Sequence, residues 1–182
     1  MSADGFDFKE LDAFSKMLDR LEQDTPEIMS ELVVGEGVYA VKQARIISKN
    51  EKGLFNTGAY LGNFHAGNKA MASGAGADYD GSPMRRNGEF YTIDVYNNLE
   101  YAKHLEYGFR SHFVPGYWAG RVFVYQRGAS GGMYVGTPGS YVPGHFTLRR
   151  AENRTLVTQE ARLQRKIDKI LKDRFGRWRR YL

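Results

Sequence analysis

The sequence predicts an α+β fold, in which a small antiparallel β-sheet is flanked by N-terminal helices and a long C-terminal helix. Apolar residues recur with helical spacing near both ends of the chain, and side chains alternate with a period of two over residues 90–96. Residues 109–143 combine many aromatic side chains with many glycines, which predicts a long β-hairpin arm. We expect a single domain over the 182 residues, with N-terminal helices (1–50), a sheet and short helix (53–108), a projecting loop or hairpin (109–143), and a C-terminal helix with a basic tail (144–182).

Composition and charge limit the classes of protein to which the chain can belong. It contains no Cys, which excludes disulfides, thiolate zinc sites and Cys nucleophiles and fits synthesis in a reducing cytosol. No signal peptide is expected from the acidic N-terminus, and no run approaches the roughly 20 apolar residues of a membrane span. The net charge of +5 is uneven, because residues 1–50 are acidic and residues 162–180 are rich in Arg and Lys. This asymmetry indicates an anionic partner, either nucleic acid or an acidic protein surface.

Two helices are predicted before residue 50. An apolar stripe over residues 8–21 indicates the first, and Asp24 or Thr25 is expected to cap the second, with Pro26 in its first turn. Gly35 and Gly37 weaken the second helix in its middle, so we expect either a kink there or close contact with another backbone.

Residues 53–88 are predicted to contain one strand and an exposed connector. The turn NTG at 56–58 leads into a strand over 61–65, and the connector 69–87 ends in the hairpin turn RRNG at 85–88. Within the connector, Asp78-Tyr79-Asp80-Gly81 is similar to the start of a calcium loop. It lacks the third acidic position and the distal Glu, so a solvated loop is the favoured interpretation.

The most explicit stretch is residues 88–108, where a strand is followed by a tight turn and a short helix. Asn97-Asn98 ends the strand, the apolar spacing then changes to about 3.6, and Gly108 closes the helix. This junction is expected to bring four side chains close together: Tyr96, Tyr101, Glu106 and Tyr107.

The arm is predicted to consist of two strands, residues 121–126 and 133–135, around the glycine-rich segment 128–132. Two interpretations carry equal weight. The arm becomes ordered against a neighbouring subunit, or it is a flap folded over its own domain. Under the first, the subunit-interface residues are Phe113, Tyr117, Trp118, Arg121, Phe123, Tyr125, Tyr134 and Tyr141.

The C-terminal helix has an apolar stripe formed by Leu156, Leu163, Ile167, Ile170 and Leu171. Phe175-Gly176 is expected to mark its end. The tail that follows mixes cations with aromatic rings, which suits binding of phosphates and bases, docking into an acidic pocket of a protein, or simple solvation. Its candidate partner or DNA contacts are Arg174, Arg177, Trp178, Arg179 and Arg180.

No catalytic motif is recognisable. The four His residues are scattered, and neither a metal-ligand spacing, a nucleophile elbow, a phosphate loop nor a dinucleotide fingerprint is present. Asp94, Glu100 and Glu106 are the acids that could gather to bind magnesium, but salt links or solvent exposure are the favoured roles. The sequence therefore predicts a non-enzyme with no metal and no cofactor.

Three segments in order resemble the minor neck and tail-completion (head–tail joining) proteins of tailed phages, defective prophages and tail-derived bacteriocins. Residues 95–108 (VYNNLEYAKHLEYG) resemble the family's V-Y-N-x-x-x-Y-A-x-x-V-E-[YF]-G signature, while 55–61 (FNTGAYL) and 142–148 (VPGHFTL) are similar to its flanking motifs. The chain departs from the pattern at Asn56, where Asp is usual, and in the long aromatic insertion 109–141. The positions that match family motifs or form the corner of the fold are Thr57, Gly58, Tyr96, Asn97, Tyr101, Ala102, Glu106, Tyr107 and Gly108.

The resemblance implies a structural protein with a tail-terminator-like fold, located in the virion at the neck or tail top after synthesis in the host cytoplasm. It implies a ring of copies, commonly a hexamer, around the DNA channel and beside head-closure or connector and tail-terminator or tail-tube proteins, with channel DNA a further candidate contact and no membrane. Closed rings need two different complementary patches, which the acidic N-terminal half, the basic helix and the arm could supply. The alternatives are a free nucleic-acid-binding protein that uses the basic C-terminal helix and, less favoured, a metal-dependent nuclease.

Overall fold

The computed structural model describes residues 9–51, 58–71 and 77–178. In chain order its elements are α1 (Lys9–Asn50), α2 (Ala59–Gly62), β1 (Phe64–Gly67), a 3₁₀ turn (Lys69–Met71), β2 (Arg85–Asn87), β3 (Phe90–Thr92), β4 (Asp94–Asn97), α3 (Ala102–Tyr107), β5 (Gly108–Arg110), β6 (His112–Ala119), β7 (Val122–Tyr125), β8 (Gly132–Val135), β9 (Tyr141–Pro143) and α4 (Thr147–Trp178). Long helices and small antiparallel sheets together confirm the predicted α+β class.

The two long helices pack against each other and run antiparallel. Arg150 of α4 pairs with Glu51 just after α1, while Arg162, further along α4, pairs with Glu36, which lies earlier in α1. The start of α4 therefore lies beside the end of α1.

The core lies between this end of the helix pair and the two-stranded sheet β1–β4. In that sheet Phe64 is opposite Asn97 and Gly67 is opposite Asp94. The buried apolar side chains that form the core are Val41, Ala44, Ile47, Tyr60, Phe64, Ala66 and Ala151. Because Val41, Ala44 and Ile47 repeat at helical spacing, one face of α1 supplies a large part of this core.

The prediction of two N-terminal helices is wrong, because α1 continues without interruption through Pro26. Proline removes one backbone donor, and the hydroxyl of Thr25 donates to the Leu21 carbonyl (2.7 Å) instead of capping a new helix. Packing on α4 and on the sheet stabilises α1 as a whole, although Pro26 itself is exposed.

At Gly35 and Gly37 the expected close contact is present, although it is made with side chains. A Cβ atom on Gly37 would lie 3.0 Å from Cβ of Ala66 and 3.1 Å from Cγ2 of Ile93. At Gly35 the side chain of Lys166 occupies the space that a Cβ atom would need. These glycines let a strand and a helix approach α1 closely.

Three element boundaries differ from prediction. The strand expected over 61–65 begins only at Phe64, because residues 59–62 form α2, which Gly58 precedes in a left-handed conformation. The central strand is interrupted at Ile93, so that β3 pairs with β2 across the predicted hairpin turn and β4 pairs with β1. Finally, α4 continues through Phe175-Gly176 to Trp178.

The apolar stripe predicted on α4 does not lie in the core. Over residues 147–173 of this helix, Thr147, Ala151 and Thr155 are buried, whereas Leu156, Ile167 and Leu171 are exposed. The stripe is therefore left facing a groove and solvent.

Candidate interaction surface

The arm is joined to the body by a short two-stranded stem, β5 paired with β9. The stem starts where α3 ends and stops where α4 begins, so two chain segments cross closely at its base. Gly108 has φ +81° there, and a Cβ atom on it would lie 2.4 Å from the Val142 carbonyl oxygen; one on Gly144 would lie 2.2 Å from the Glu106 carbonyl oxygen. Tyr141, predicted to be an interface residue, belongs to this stem, where its hydroxyl donates to the Tyr107 carbonyl.

The arm itself is a three-stranded sheet, which we call the arm sheet (residues 112–135), and not the predicted two-stranded hairpin. Strands β7 and β8 do not pair with each other, since both pair with β6, in the order β7-β6-β8. The first half of β6 pairs with β8 and the second half with β7, so the β6–β7 hairpin forms the end that is further from the stem. The expected strand positions were close to correct, but the pairing was wrong because β6 was missing from the prediction.

Both faces of the arm sheet are apolar. Cross-strand pairing places Phe113, Tyr117, Val122, Val124 and Tyr134 on one face and Val114, Trp118, Phe123, Tyr125 and Met133 on the other. Each face contains one edge-to-face aromatic pair with ring centroids 5.4 Å apart, Phe113–Tyr134 on the first and Trp118–Phe123 on the second.

Neither face is covered by the part of the chain that the structure describes. Neither α1 nor α4 makes an extended packing contact with the arm sheet, and Trp118 (57%), Val122 (66%) and Tyr125 (62%) are largely exposed. An aromatic side chain buries roughly 150–250 Å² when it is fully enclosed, so the half-exposed rings of this sheet leave on the order of 500 Å² uncovered. Exposed apolar surface of this extent is typical of interaction sites.

The arm is also purely cationic. Residues 109–143 contain Arg110, Arg121 and Arg127 but no Asp, Glu or Lys. All three arginines are exposed, and Arg121 lies in the turn at the far end of the β6–β7 hairpin. The surface therefore suits a partner that combines apolar area with carboxylates or phosphates.

Of the four side chains expected to lie together at the strand–helix junction, Tyr96, Glu106 and Tyr107 line one cavity of 490 Å³, and Tyr101 does not. Tyr101 and Tyr107 are exposed, while Tyr96 and Glu106 are buried and each has a structural partner. The Tyr96 hydroxyl donates to Oδ2 of Asp80 (2.6 Å), and burial together with this carboxylate raises the pKa of Tyr96.

Glu106 caps the N-terminus of α4. Its two carboxylate oxygens accept hydrogen bonds from the backbone N–H groups of Leu148 (2.9 Å) and Arg149 (3.1 Å). A buried carboxylate at this position satisfies two donors that a helix leaves unpaired and interacts favourably with the helix dipole. Glu106 thus fixes α4 to α3 across 42 residues of sequence.

Two other motif positions have comparable structural roles. The Asn97 amide donates to the Tyr60 carbonyl (2.8 Å), and its oxygen accepts from the Leu99 N–H (3.1 Å), which forms the predicted turn. Ala102 packs against the core. Thr57 lies outside the described residues.

Two of the three acids expected as candidate metal ligands are engaged in other contacts, and the third is exposed. Asp94 pairs with Arg85, Glu106 caps α4, and Glu100 is exposed. Over the described ranges, no group of three or more His, Asp or Glu side chains is arranged to hold a metal ion.

In the calcium-like segment, the two aspartates hold a network that sequence reasoning missed. Asp78 pairs with Arg45, and Asp80 accepts hydrogen bonds from the Ser82 N–H (2.7 Å) and from Tyr96. Burial acts to raise the pKa of Asp80, but the hydrogen bonds from Ser82 and Tyr96 outweigh it and hold the pKa below its ordinary value. The signal for this network was present in the spacing Asp80-Gly81-Ser82, which is typical of a side-chain turn.

The acidic N-terminal helix and the basic C-terminal helix form an ion pair with each other within one molecule. Arg162 forms a buried ion pair with Glu36 and lies over the ring of Tyr39, with the guanidinium carbon 3.6 Å from the ring centroid. The hydrogen bond from Arg162 to Glu36 raises the pKa of the guanidinium. Of the predicted contacts in the basic tail, Arg179 and Arg180 lie outside the described residues, and the side chains of Arg174, Arg177 and Trp178 are likewise not described.

A second unfilled surface, which we call the helix groove, lies between α1, α4 and the segment around Ile93 that joins β3 to β4. It consists of two adjoining cavities of 620 Å³ and 440 Å³, which share Glu36 and Ile93 in their walls. Its apolar lining is formed by Met29, Val33, Ile93, Leu156, Leu163 and Ile167. The apolar stripe of α4 that is absent from the core thus lines this groove.

Comparisons with protein-family models, with curated proteins and with solved structures gave no match to this chain. Among the described helices, none has the combination of length and apolarity that is needed to cross a membrane. The resemblance of residues 95–108 to phage neck proteins therefore stays a prediction.

Proposed function

We propose that this chain is a structural protein of the phage neck or tail top, which assembles as a ring of copies at the head–tail junction and completes or joins the tail. The observation that carries the proposal is the arm sheet, whose two aromatic faces are uncovered in the described chain. The strand–turn–helix signature at 95–108 supports the family assignment, because its Asn97, Ala102, Glu106 and Gly108 are the residues that build the corner of the fold.

The form of the arm sheet favours assembly over catalysis. An arm that served as a flap over its own domain would bury one face against that domain, and the described chain makes no such packing. A ring subunit must contact two neighbours through different patches, and a projecting element with two different apolar faces is suited to that geometry. The neck role, the hexameric ring and the location in the virion rest on the resemblance together with this surface.

Particle assembly tests the proposal. A phage or prophage in which the gene is disrupted would be complemented with the chain or with a variant in which Tyr117, Trp118 and Tyr125 are all replaced by Ser. We expect the variant to fold but to be absent from particles, so that heads and tails accumulate unjoined.

The matched control is Phe90→Ser, because Phe90 is exposed by 76% and lies outside both the arm and the signature. The control should join tails normally. Normal tail joining by the triple arm variant would contradict the proposal.

Free nucleic-acid binding is a second candidate, favoured by the exposed basic side chains of α4 such as Arg165, Lys169 and Lys172. Binding to phosphates gives an affinity that falls steeply with salt. A titration of duplex and single-stranded DNA at several salt concentrations would separate this candidate from a purely protein-binding role.

A further inference from the structure

Two apolar surfaces of this chain, the arm sheet and the helix groove, are uncovered and do not pack against each other. The arm sheet projects its aromatic faces, and the helix groove presents an apolar lining between α1 and α4, yet the arm makes no extended contact with either helix among the described residues. Building on the ring proposed above, we infer that the far end of the arm sheet, the β6–β7 hairpin of residues 116–125, seats in the helix groove of the next copy. Each copy then gives an arm to one neighbour and receives one from the other.

The chemistry of the two surfaces is complementary. The far end of the arm offers Trp118 and Val122 with Arg121 in the turn, while the groove offers Val33, Ile93 and other aliphatic side chains. Aromatic and arginine side chains at the centre of an apolar contact are the groups that dominate binding energy in protein interfaces.

The charges also complement each other. Three carboxylates, Glu36, Glu106 and Glu152, line the groove together with Arg149. Glu36 is paired with Arg162 and Glu106 caps α4, whereas Glu152 is exposed and has no ion pair among the described side chains. Glu152 is therefore available to the cationic arm, and Arg121 is the arm residue best placed to meet it.

The sizes agree with a specific contact. In the far end of the arm, Tyr117, Trp118 and Tyr125 are each more than half exposed and leave roughly 300 Å² of aromatic surface uncovered. With Val122, which is 66% exposed, this supplies a substantial part of the roughly 800 Å² that each partner buries in a stable interface. An arm-on-arm contact would bring together surfaces with three arginines each and no carboxylate, which like-charge repulsion disfavours.

Disulfide trapping on the purified full-length chain tests the contact, because the natural sequence has no Cys and each introduced thiol is unique. Val122→Cys on one copy would be mixed with Leu156→Cys on another and oxidised. The matched control replaces Leu156→Cys by Val157→Cys, since Val157 is 86% exposed on the same helix and does not line the groove.

We expect the disulfide between V122C and L156C to form at least about tenfold faster than the disulfide between V122C and V157C, because docking raises the effective concentration of the paired thiols. Arg121→Glu should slow trapping, and adding Glu152→Arg on the groove copy should restore it. Equal rates for the two pairs would overturn the proposal, and so would a disulfide between two V122C copies that forms faster than the one between V122C and L156C. A chain that stays monomeric at millimolar concentration would overturn it too.

This test is independent of the neck role. Failure of trapping with normal dependence of tail joining on the arm would remove the groove contact and leave the neck role intact. If the disulfide forms in solution but particles lack the protein, the groove contact stands and the neck role is removed.

Discussion

Replacing Glu106 tests whether the strand–helix corner is held as the structure indicates. The carboxylate is 4% exposed and accepts two backbone hydrogen bonds from the first turn of α4. A hydrogen bond to a charged group contributes about 1.5–3 kcal/mol. Glu106→Ala removes both bonds and leaves two N–H donors beside a cavity, so we expect a loss of about 3–5 kcal/mol in the free energy of unfolding.

The stability of Glu106→Gln should lie between that of wild type and that of Glu106→Ala. The amide keeps one acceptor oxygen but loses the second acceptor and the negative charge at the helix N-terminus, for an expected loss of about 1.5–3 kcal/mol. Urea unfolding followed by circular dichroism gives these differences from the midpoint if the slope is unchanged. Hydrogen exchange at the Leu148 and Arg149 amides should also accelerate more than at the centre of α4.

Glu100→Gln is the matched control, since Glu100 is an exposed carboxylate in the turn before α3. It should change stability by no more than about 0.5 kcal/mol. Glu106→Ala and Glu100→Gln with equal stability would refute the view that Glu106 holds α4 in place.

Three further predictions follow from buried or exposed groups. Arg162→Met should cost about 3–5 kcal/mol in thermal or urea unfolding because it leaves Glu36 buried without its partner, and Arg162→Met with Glu36→Gln together should recover part of that loss. Burial raises the pKa of Tyr60 to about 12, so the stability contributed by its neutral form is complete below pH 10 and is lost as the pH rises to 12. Wild type should therefore lose about 2–3 kcal/mol more stability than Tyr60→Phe between pH 10 and pH 12, measured by urea unfolding. Trp118→Ser should change the free energy of unfolding of the isolated chain, measured in urea, by no more than about 0.5–1 kcal/mol, because the ring is 57% exposed and its strand makes no extended contact with a described helix. A larger loss would indicate that the arm is folded onto its own domain.

The corner of the fold was predictable because its signals are local. The turn at Asn97, the helix that follows and the hairpin at residues 85–92 depend on residues a few positions apart. The first two formed as expected, whereas residues 85–87 of the predicted hairpin turn RRNG form strand β2 and the turn itself lies at residues 88–89. The buried face of α1 is a local feature of the same kind, since helical spacing places Val41 and Ile47 on one side of the helix.

The errors concern contacts between distant segments. Pro26 and Thr25 resemble a helix start, but both lie inside one 42-residue helix whose later turns pack on α4, more than a hundred residues away in sequence. The spacing on α4 correctly identifies an apolar stripe, but Leu156 of that stripe lines an open groove and not the core. Periodicity identifies an apolar side of an element but not what covers it.

The charge pattern was predictive only in part. The acidic and basic ends of the chain indicated external partners, whereas Glu36 and Arg162 show that the two ends also pair with each other. The arm was identified by composition, but its pairing depends on which strand takes the centre. That strand, β6, has the sequence HFVPGYWA, which lacks the alternation typical of a strand and contains Pro115 and Gly116. The calcium-like segment was missed as a structural network because Arg45 and Tyr96, which bind its aspartates, lie far away in sequence.

A three-dimensional reconstruction of the intact particle tests the central claim most directly. The account predicts a closed ring of this chain at the head–tail junction, in which every arm sheet is buried against a neighbouring molecule. A particle that lacks the chain at the collar, or a ring whose arm sheets remain exposed to solvent, would contradict it.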